Sequence, residues 1–157
     1  MSVAFRRESD EEHLEPKFEL PIPLGPNLVT ARGLELLETK VAELEAALPA
    51  LTDEVERKAH QRDLRYWRTR LATAELKEAR ADGVVGFGCR VDLVVNGKPR
   101  TIELIGHDEA DPAVGKLAFT APLCRAVMGA EVGDVLDFGG KVGAVELVGI
   151  GVAENLR

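Results

Sequence analysis

The sequence predicts an α+β protein, with an N-terminal antiparallel helical hairpin followed by a small antiparallel sheet that carries one short helix. Three observations predict it. Apolar residues recur every three or four positions from Leu34 to Ala74, and no glycine falls between Leu34 and Asp82. After Asp82-Gly83 the period changes to two. Asn96-Gly97 then separates two alternating runs, the strongest short-range signal for a tight hairpin turn.

The chain of 157 residues is 45% apolar but only 4% aromatic, so any core must be mainly Leu, Val, Ile and Ala. The net charge is -7, with 3 basic against 6 acidic residues over 1–27, 10 against 11 over 28–82 and 7 against 10 over 83–157. That balance argues against free-standing duplex-DNA binding, which rests on neutralising phosphates. Cys89 and Cys124 are far apart and His13, His60 and His107 are scattered, so neither a disulfide scaffold nor a zinc site is expected. The N-terminus holds no apolar run of signal-peptide length and no later run is long enough to span a membrane, so the expected home is a reducing cytoplasm.

Residues 1–26 are acidic and then spaced by Pro16, Pro21, Pro23 and Pro26. Proline lacks the amide donor and restricts its predecessor, so an extended or flexible arm is expected. The hairpin is expected over 27–82. Its first stripe is Leu34, Leu37, Val41, Leu44, Leu48, Leu51 and Val55; its second is Leu64, Trp67, Leu71 and Ala74. Two amphipathic helices in one short chain pair most simply with each other. Pro49 breaks the ladder, and Thr52-Asp53-Glu54 reads as a helix start, a cap hydroxyl followed by acids at the positive helix end. The turn is then near 49–52, with arms of about 20–28 residues, or about 30–40 Å at 1.5 Å per residue. The competing turn, near Ala59–Asp63, contains no good turn residue.

Beyond Gly83, Cys89, Val91, Leu93 and Val95 alternate with Arg90, Asp92, Val94 and Asn96, and Thr101–Ile105 reads as the return strand. Lys116–Thr120 is a further strand. Pro122–Met128 suits a short helix stopped by Gly129. Val135–Phe138, Gly139-Gly140 and Val142–Ile150 make a last hairpin.

Two charge clusters stand out. Asp108, Glu109 and Asp111 crowd one loop but lack the alternating ligands of a calcium site, which leaves a solvated connection or a docking loop. Arg57, Lys58, Arg62, Arg65, Arg68 and Arg70 oppose only Asp63 over residues 57–70. Lys58, Arg62 and Arg65 share a helix face, either simply solvated or a basic stripe for RNA or acidic protein walls. Trp67, in the apolar stripe, reads as core before base-stacking platform.

Leu104-Ile105-Gly106-His107-Asp108-Glu109-Ala110-Asp111 is followed by Leu117-Ala118-Phe119-Thr120-Ala121-Pro122-Leu123-Cys124-Arg125-Ala126-Val127-Met128-Gly129 and by Val132-Gly133-Asp134. This text resembles the second domain of the bacterial Gre transcript-cleavage factors, GreA and GreB. Val29-Thr30-Ala31-Arg32-Gly33-Leu34 is similar to the opening of that family's hairpin. The resemblance implies an FKBP-like fold for residues 83–157. It implies docking on RNA polymerase at the rim of the secondary channel, against a coiled coil of the largest subunit, with Asp108, Glu109 and Asp111 as docking acids and Pro122 and Leu123 as apolar neighbours. The hairpin would then point down the channel, where contact with nascent RNA is expected.

In that family two tip acids help hold a catalytic magnesium of polymerase, so the factor is not itself an enzyme and has no cofactor beyond a shared magnesium. The family's tip text, D-L-x-E-N-A-E-Y, is missing here; the nearest is Arg62-Asp63-Leu64-Arg65-Tyr66-Trp67, and the hairpin is shorter. The candidate tip acids are therefore Asp53, Glu54 and Glu56. The expected function is a transcription elongation factor acting through the secondary channel. A non-cleaving paralogue that competes for the channel, and a binding module with no polymerase role, are the alternatives. Prolyl isomerase activity would need an aromatic-lined pocket, and this domain supplies only Phe87, Phe119 and Phe138.

Overall fold

The structure, a computed structural model, describes residues 19–154. The arm expected over 1–26 lies outside the described residues as far as 18, and from 19 to 26 the chain forms neither helix nor strand.

A two-residue strand, β1 (Leu28–Val29), leads into helix α1 (Ala31–Ala47). A single 3-10 turn over Leu48–Ala50 contains Pro49, and helix α2 (Glu54–Thr73) returns. The turn thus falls where proline removes a helical donor. The cap differs by one residue from expectation: the Asp53 carboxylate, not the Thr52 hydroxyl, accepts from Glu56 N, at 3.0 Å. Arg57 donates to the carbonyl of Leu51 at 3.1 Å, closing the turn from inside. Leu37, Val41 and Leu64 are buried between the helices, while Val55, expected to extend the stripe, is 55% exposed beyond the last contact. Trp67 is half-buried, with Lys40 Nζ of α1 5.8 Å from its ring centre.

Strand β2 (Glu75–Leu76) pairs parallel with β1 and ties the end of the hairpin to its beginning. No residue pattern announces so short a ladder.

The C-terminal sheet has five strands: β3 (Cys89–Val95), β4 (Lys98–Ile105), β5 (Lys116–Ala118), β6 (Val135–Phe138) and β7 (Lys141–Val152), in the order β5-β4-β3-β7-β6. Asn96 and Gly97 turn β3 into β4 with φ of 50° and 81°, both in the left-handed region that this tight turn requires. Helix α3 (Pro122–Val127) lays Leu123, Cys124 and Val127 over Val91, Leu93, Ile102, Leu104, Val145 and Leu147. This face forms one continuous buried cluster.

One strand departs from the expected antiparallel sheet. β5 runs parallel to β4, with Glu103 opposite Lys116 and Ile105 opposite Ala118. The connection doubles back through two 3-10 turns, His107–Glu109 and Pro112–Val114, and Gly115 at φ 80°. A Cβ there would meet the carbonyl oxygen of Thr101 at 2.6 Å, so only glycine lets the chain approach β4 this closely. The end of β4 is covered on both faces: Ile102 and Leu104 face α3, and Ile105, on the other side, is also fully buried. There the hairpin meets the sheet, with the Leu28 carbonyl against Gly106.

Candidate functional site

The acidic loop is where the two modules join. Asp108 Oδ2 accepts from Arg70 Nε at 2.6 Å, and its Oδ1 accepts from the Tyr66 hydroxyl at 2.5 Å. The Arg70 and Asp108 side chains are 2% and 8% exposed. Arg70 also donates from Nη2 to Asn27 Oδ1 at 2.7 Å, and the Asn27 amide donates to the Arg70 carbonyl at 2.8 Å. Both carboxylate oxygens, and Nε and Nη2 of the guanidinium, therefore have partners, which an ion pair this dry requires. Burial, followed by the hydrogen bond to Asp108, pushes the Tyr66 phenol up to about 12.

Glu109 makes the second half of the joint. Its carboxylate accepts from the Thr30 amide at 3.0 Å, from the Thr30 hydroxyl and from the Gly106 amide at 3.2 Å. Thr30 is the N-cap of α1: its hydroxyl oxygen accepts from Gly33 N at 3.0 Å while its proton goes to Glu109. The carboxylate thus lies at the positive end of α1. Gly33 leaves room for this approach, because a Cβ there would run into the Glu109 carboxylate unless that side chain moved. The Thr-x-x-Gly text of the sequence is the hairpin's half of the joint.

The loop continues with His107, whose Nε2 is 2.8 Å from Thr120 Oγ1 and whose ring meets Phe119 edge-on at 5.4 Å. Burial, and then the Arg70 charge, hold His107 below the usual histidine range. Phe119 also packs edge-on against Phe87 at 5.6 Å.

These positions redistribute the expected docking residues. Asp108 and Glu109 are turned inward onto the hairpin, and Leu123 is 4% exposed within the core. Asp111 and Pro122 are exposed. Sequence reading placed Arg70 in an outward basic stripe; the structure buries it. No sequence pattern separates Arg70 from Arg62, Arg65 and Arg68, which likewise have no carboxylate three or four residues away.

The remaining cations of the stripe are engaged separately. Lys58 pairs with Glu54 at 3.6 Å, Arg62 with Asp63 at 3.3 Å, Arg65 with Glu19 at 2.6 Å and Arg68 with Glu45 at 3.3 Å. Arg57 serves the turn.

At the far end of the hairpin, Asp53, Glu54 and Glu56 are all exposed in the first turn of α2. Their oxygens are the right donors for a hard divalent cation. Asp53 is also occupied as a cap and Glu54 by Lys58. Among the described residues no group of three or more His, Cys, Asp or Glu side chains is arranged to hold a metal by itself, and no helix is long and apolar enough to cross a membrane.

A five-stranded sheet with one short helix, joined by an acidic loop to a helical hairpin, defines the class. Residues 80–151 match the family model of the C-terminal domain of the transcription elongation factors GreA and GreB. The chain is 44% identical over 57 residues to transcription elongation factor GreA of Ralstonia nicotianae, which is 35% of this chain and 36% of that relative. It is 28% identical over 131 residues to GreA of Desulfovibrio desulfuricans, 68% of this chain and 80% of that one. The match to the first of these thus spans about a third of its length. Among solved structures, GreA factor homolog 1 (Gfh1) of Thermus thermophilus aligns over 81% of this chain and 99% of its own, at 19% identity and a TM-score of 0.38. Residues 80–151 of the chain are thus similar to the C-terminal domain of the transcription elongation factors GreA and GreB, and a weaker similarity to GreA extends over 131 residues.

Proposed function

We propose that this protein binds RNA polymerase and modulates elongation through the secondary channel. The observation that carries the reading is the GreA/GreB C-terminal domain over residues 80–151, joined at its acidic loop to a hairpin that points away from it. The domain docks at the channel rim, on a coiled coil of the largest subunit, using the exposed part of the loop at Asp111 and the neighbouring Pro122. Asp108 and Glu109 act one step behind the interface by fixing the angle at which the hairpin leaves the domain. The protein performs no reaction of its own and works where polymerase works, in the cytoplasm.

At the tip, Asp53, Glu54 and Glu56 would lend carboxylate oxygens to a magnesium ion of the polymerase centre, which supplies the chemistry of RNA cleavage. What this chain contributes is placement, on a helix of 20 residues, about 30 Å long.

A second reading is favoured by a specific observation. Asp53 and Glu54 are both engaged locally, and Arg57 and Lys58 follow them directly. A tip of mixed charge suits a factor that fills the channel without promoting cleavage. The test adds the purified protein to backtracked polymerase complexes carrying end-labelled RNA, with and without a GreA that is active in cleavage. RNA shortening by the protein alone supports cleavage stimulation. Inhibition of the active GreA without shortening supports channel occupancy. Failure to co-purify with polymerase would overturn both.

A further inference from the structure

The two edges of the sheet are unlike. β5, at one edge, adjoins the loop that binds the hairpin, whereas β6, at the other, pairs among the described residues with β7 alone. The second row of backbone donors and acceptors of β6 is therefore open, and an open edge is a template for another strand. Val135 is opposite Glu146 and Leu136 opposite Val145, so successive side chains of β6 alternate between the two faces. Leu136 and Phe138 are half-buried against the core cluster. On the outer face Val135 is 61% exposed. Gly133 N donates to the Leu147 carbonyl at 2.8 Å, which sets the 131–134 turn beside β7. Val132 in that turn and Val148 in β7 are 58% and 53% exposed.

The rim of this apolar patch is acidic. Over residues 131–146, Glu131, Asp134, Asp137 and Glu146 are opposed only by Lys141. Asp134 and Asp137 are occupied by backbone: Asp134 Oδ2 accepts from Glu131 N and Asp137 Oδ1 from Gly143 N, both at 2.9 Å. Asp137, the one charge within β6, is thus turned back onto β7 and does not guard the open edge. Glu131 and Glu146 are exposed and form no ion pair among the described residues. A second copy of the chain would set like charge against like here, whereas a cationic strand would find both carboxylates open. β6 is 4 residues long and its register shifts between Leu136 and Phe138. Main-chain bonds to an added strand are therefore few, and its side chains must supply much of the affinity.

We propose that β6 is a docking edge for an extended, basic segment of a partner protein, which joins the sheet as a sixth strand with alternating apolar and cationic side chains. The apolar side chains continue the layer of Leu136 and Phe138. The cationic ones lie on the outer face, with their aliphatic stems on Val135 and their charged ends toward Glu146 and Glu131. This goes beyond the polymerase reading and does not depend on it, since the edge shares no residue with the loop placed at the channel rim. The contact is salt-sensitive, because the screening length falls from about 10 Å at 0.1 M to about 3 Å at 1 M.

The probe is a capped peptide of alternating lysine and valine, titrated into the isotope-labelled full chain and followed by amide NMR. A glutamate-valine peptide and a lysine-valine peptide N-methylated at every residue, which cannot pair as a strand, are the controls. The expected result is that the lysine-valine peptide alone shifts the amides of Val135–Phe138 and slows their hydrogen exchange. In the Glu131→Lys, Glu146→Lys double variant its affinity should fall about tenfold, as two surface charge pairs become repulsive, and the glutamate-valine peptide should bind instead. Four outcomes would overturn the proposal: no shift at β6, equal binding of the N-methylated peptide, no change of preference in a double variant that keeps its melting temperature, or a dimer in sedimentation whose interface maps to β6. The last would mean that a second copy, not a basic partner, takes the edge. None of these bears on polymerase binding, which is read by co-purification.

Discussion

Arg70 of α2 and Asp108 of the sheet domain form an ion pair at 2.6 Å that is almost wholly shielded from water. They are 38 residues apart in sequence, and their pairing sets the hairpin against the domain. Removing one partner leaves a buried charge without its counter-ion. Asp108→Ala should therefore cost about 3–5 kcal/mol in urea denaturation. Asp108→Leu combined with Arg70→Met should recover only part of that loss, because two apolar side chains carry no desolvation penalty but leave Tyr66 and Asn27 without their partners. A loss below about 0.5 kcal/mol for Asp108→Ala, within the range of ordinary surface substitutions, would mean that the pair is solvated.

Tyr66 gives the joint an alkaline limit. Its folded pKa is raised, so its contribution is fully present below the ordinary phenol value of 10.0 and is lost as pH rises toward about 12. The chain has 1 tyrosine, so phenolate absorbance in the ultraviolet reads this group alone. The expected midpoint lies well above 10.0, with stability falling over the same window. Tyr66→Phe should abolish that part of the pH dependence and cost about 1.5–3 kcal/mol at neutral pH, the range for a hydrogen bond to a charged group.

Gly33 tests the second half of the joint. Gly33→Ala places a methyl group against the Glu109 carboxylate, and relief requires breaking the contact with Thr30. The expected loss is about 1–3 kcal/mol, as for overpacking. In a Glu109→Ala background the same substitution should cost far less, since alanine is otherwise the better helix residue by about 1 kcal/mol. Additive losses in thermal denaturation would show that the two positions do not touch.

Asp53 separates capping from metal binding. Asp53→Ala should cost about 0.5–2 kcal/mol through loss of the cap to Glu56 N. Asp53→Asn keeps an equally good cap while removing the charge. If the protein stimulates RNA cleavage through this residue, Asp53→Asn should lose stimulation with an unchanged melting temperature. Full activity in Asp53→Asn would exclude the residue as a ligand.

Much of the architecture was legible because its causes are local. Proline at 49 and a capping acid at 53 are enough to end one helix and start the next, so the hairpin turn could be read where it lies. The Asn96-Gly97 turn is set by two residues that tolerate positive φ. The alternation of Cys89, Val91 and Leu93 placed these side chains on the core side of β3.

What the tertiary structure decided is which polar groups meet. Asp108 and Glu109 look like a solvated or docking pair in sequence because nothing near them can pair with them. Their partners, Arg70 and Thr30, are 38 and 79 residues away. The same holds for β5, whose parallel course depends on how closely Gly115 lets the chain return to β4. Leu123 could be assigned to a surface until α3 was laid on the sheet. Periodicity and turn chemistry act over a few residues and survive in the sequence. The matching of buried charges acts across the fold and exists only once the hairpin and the sheet have met.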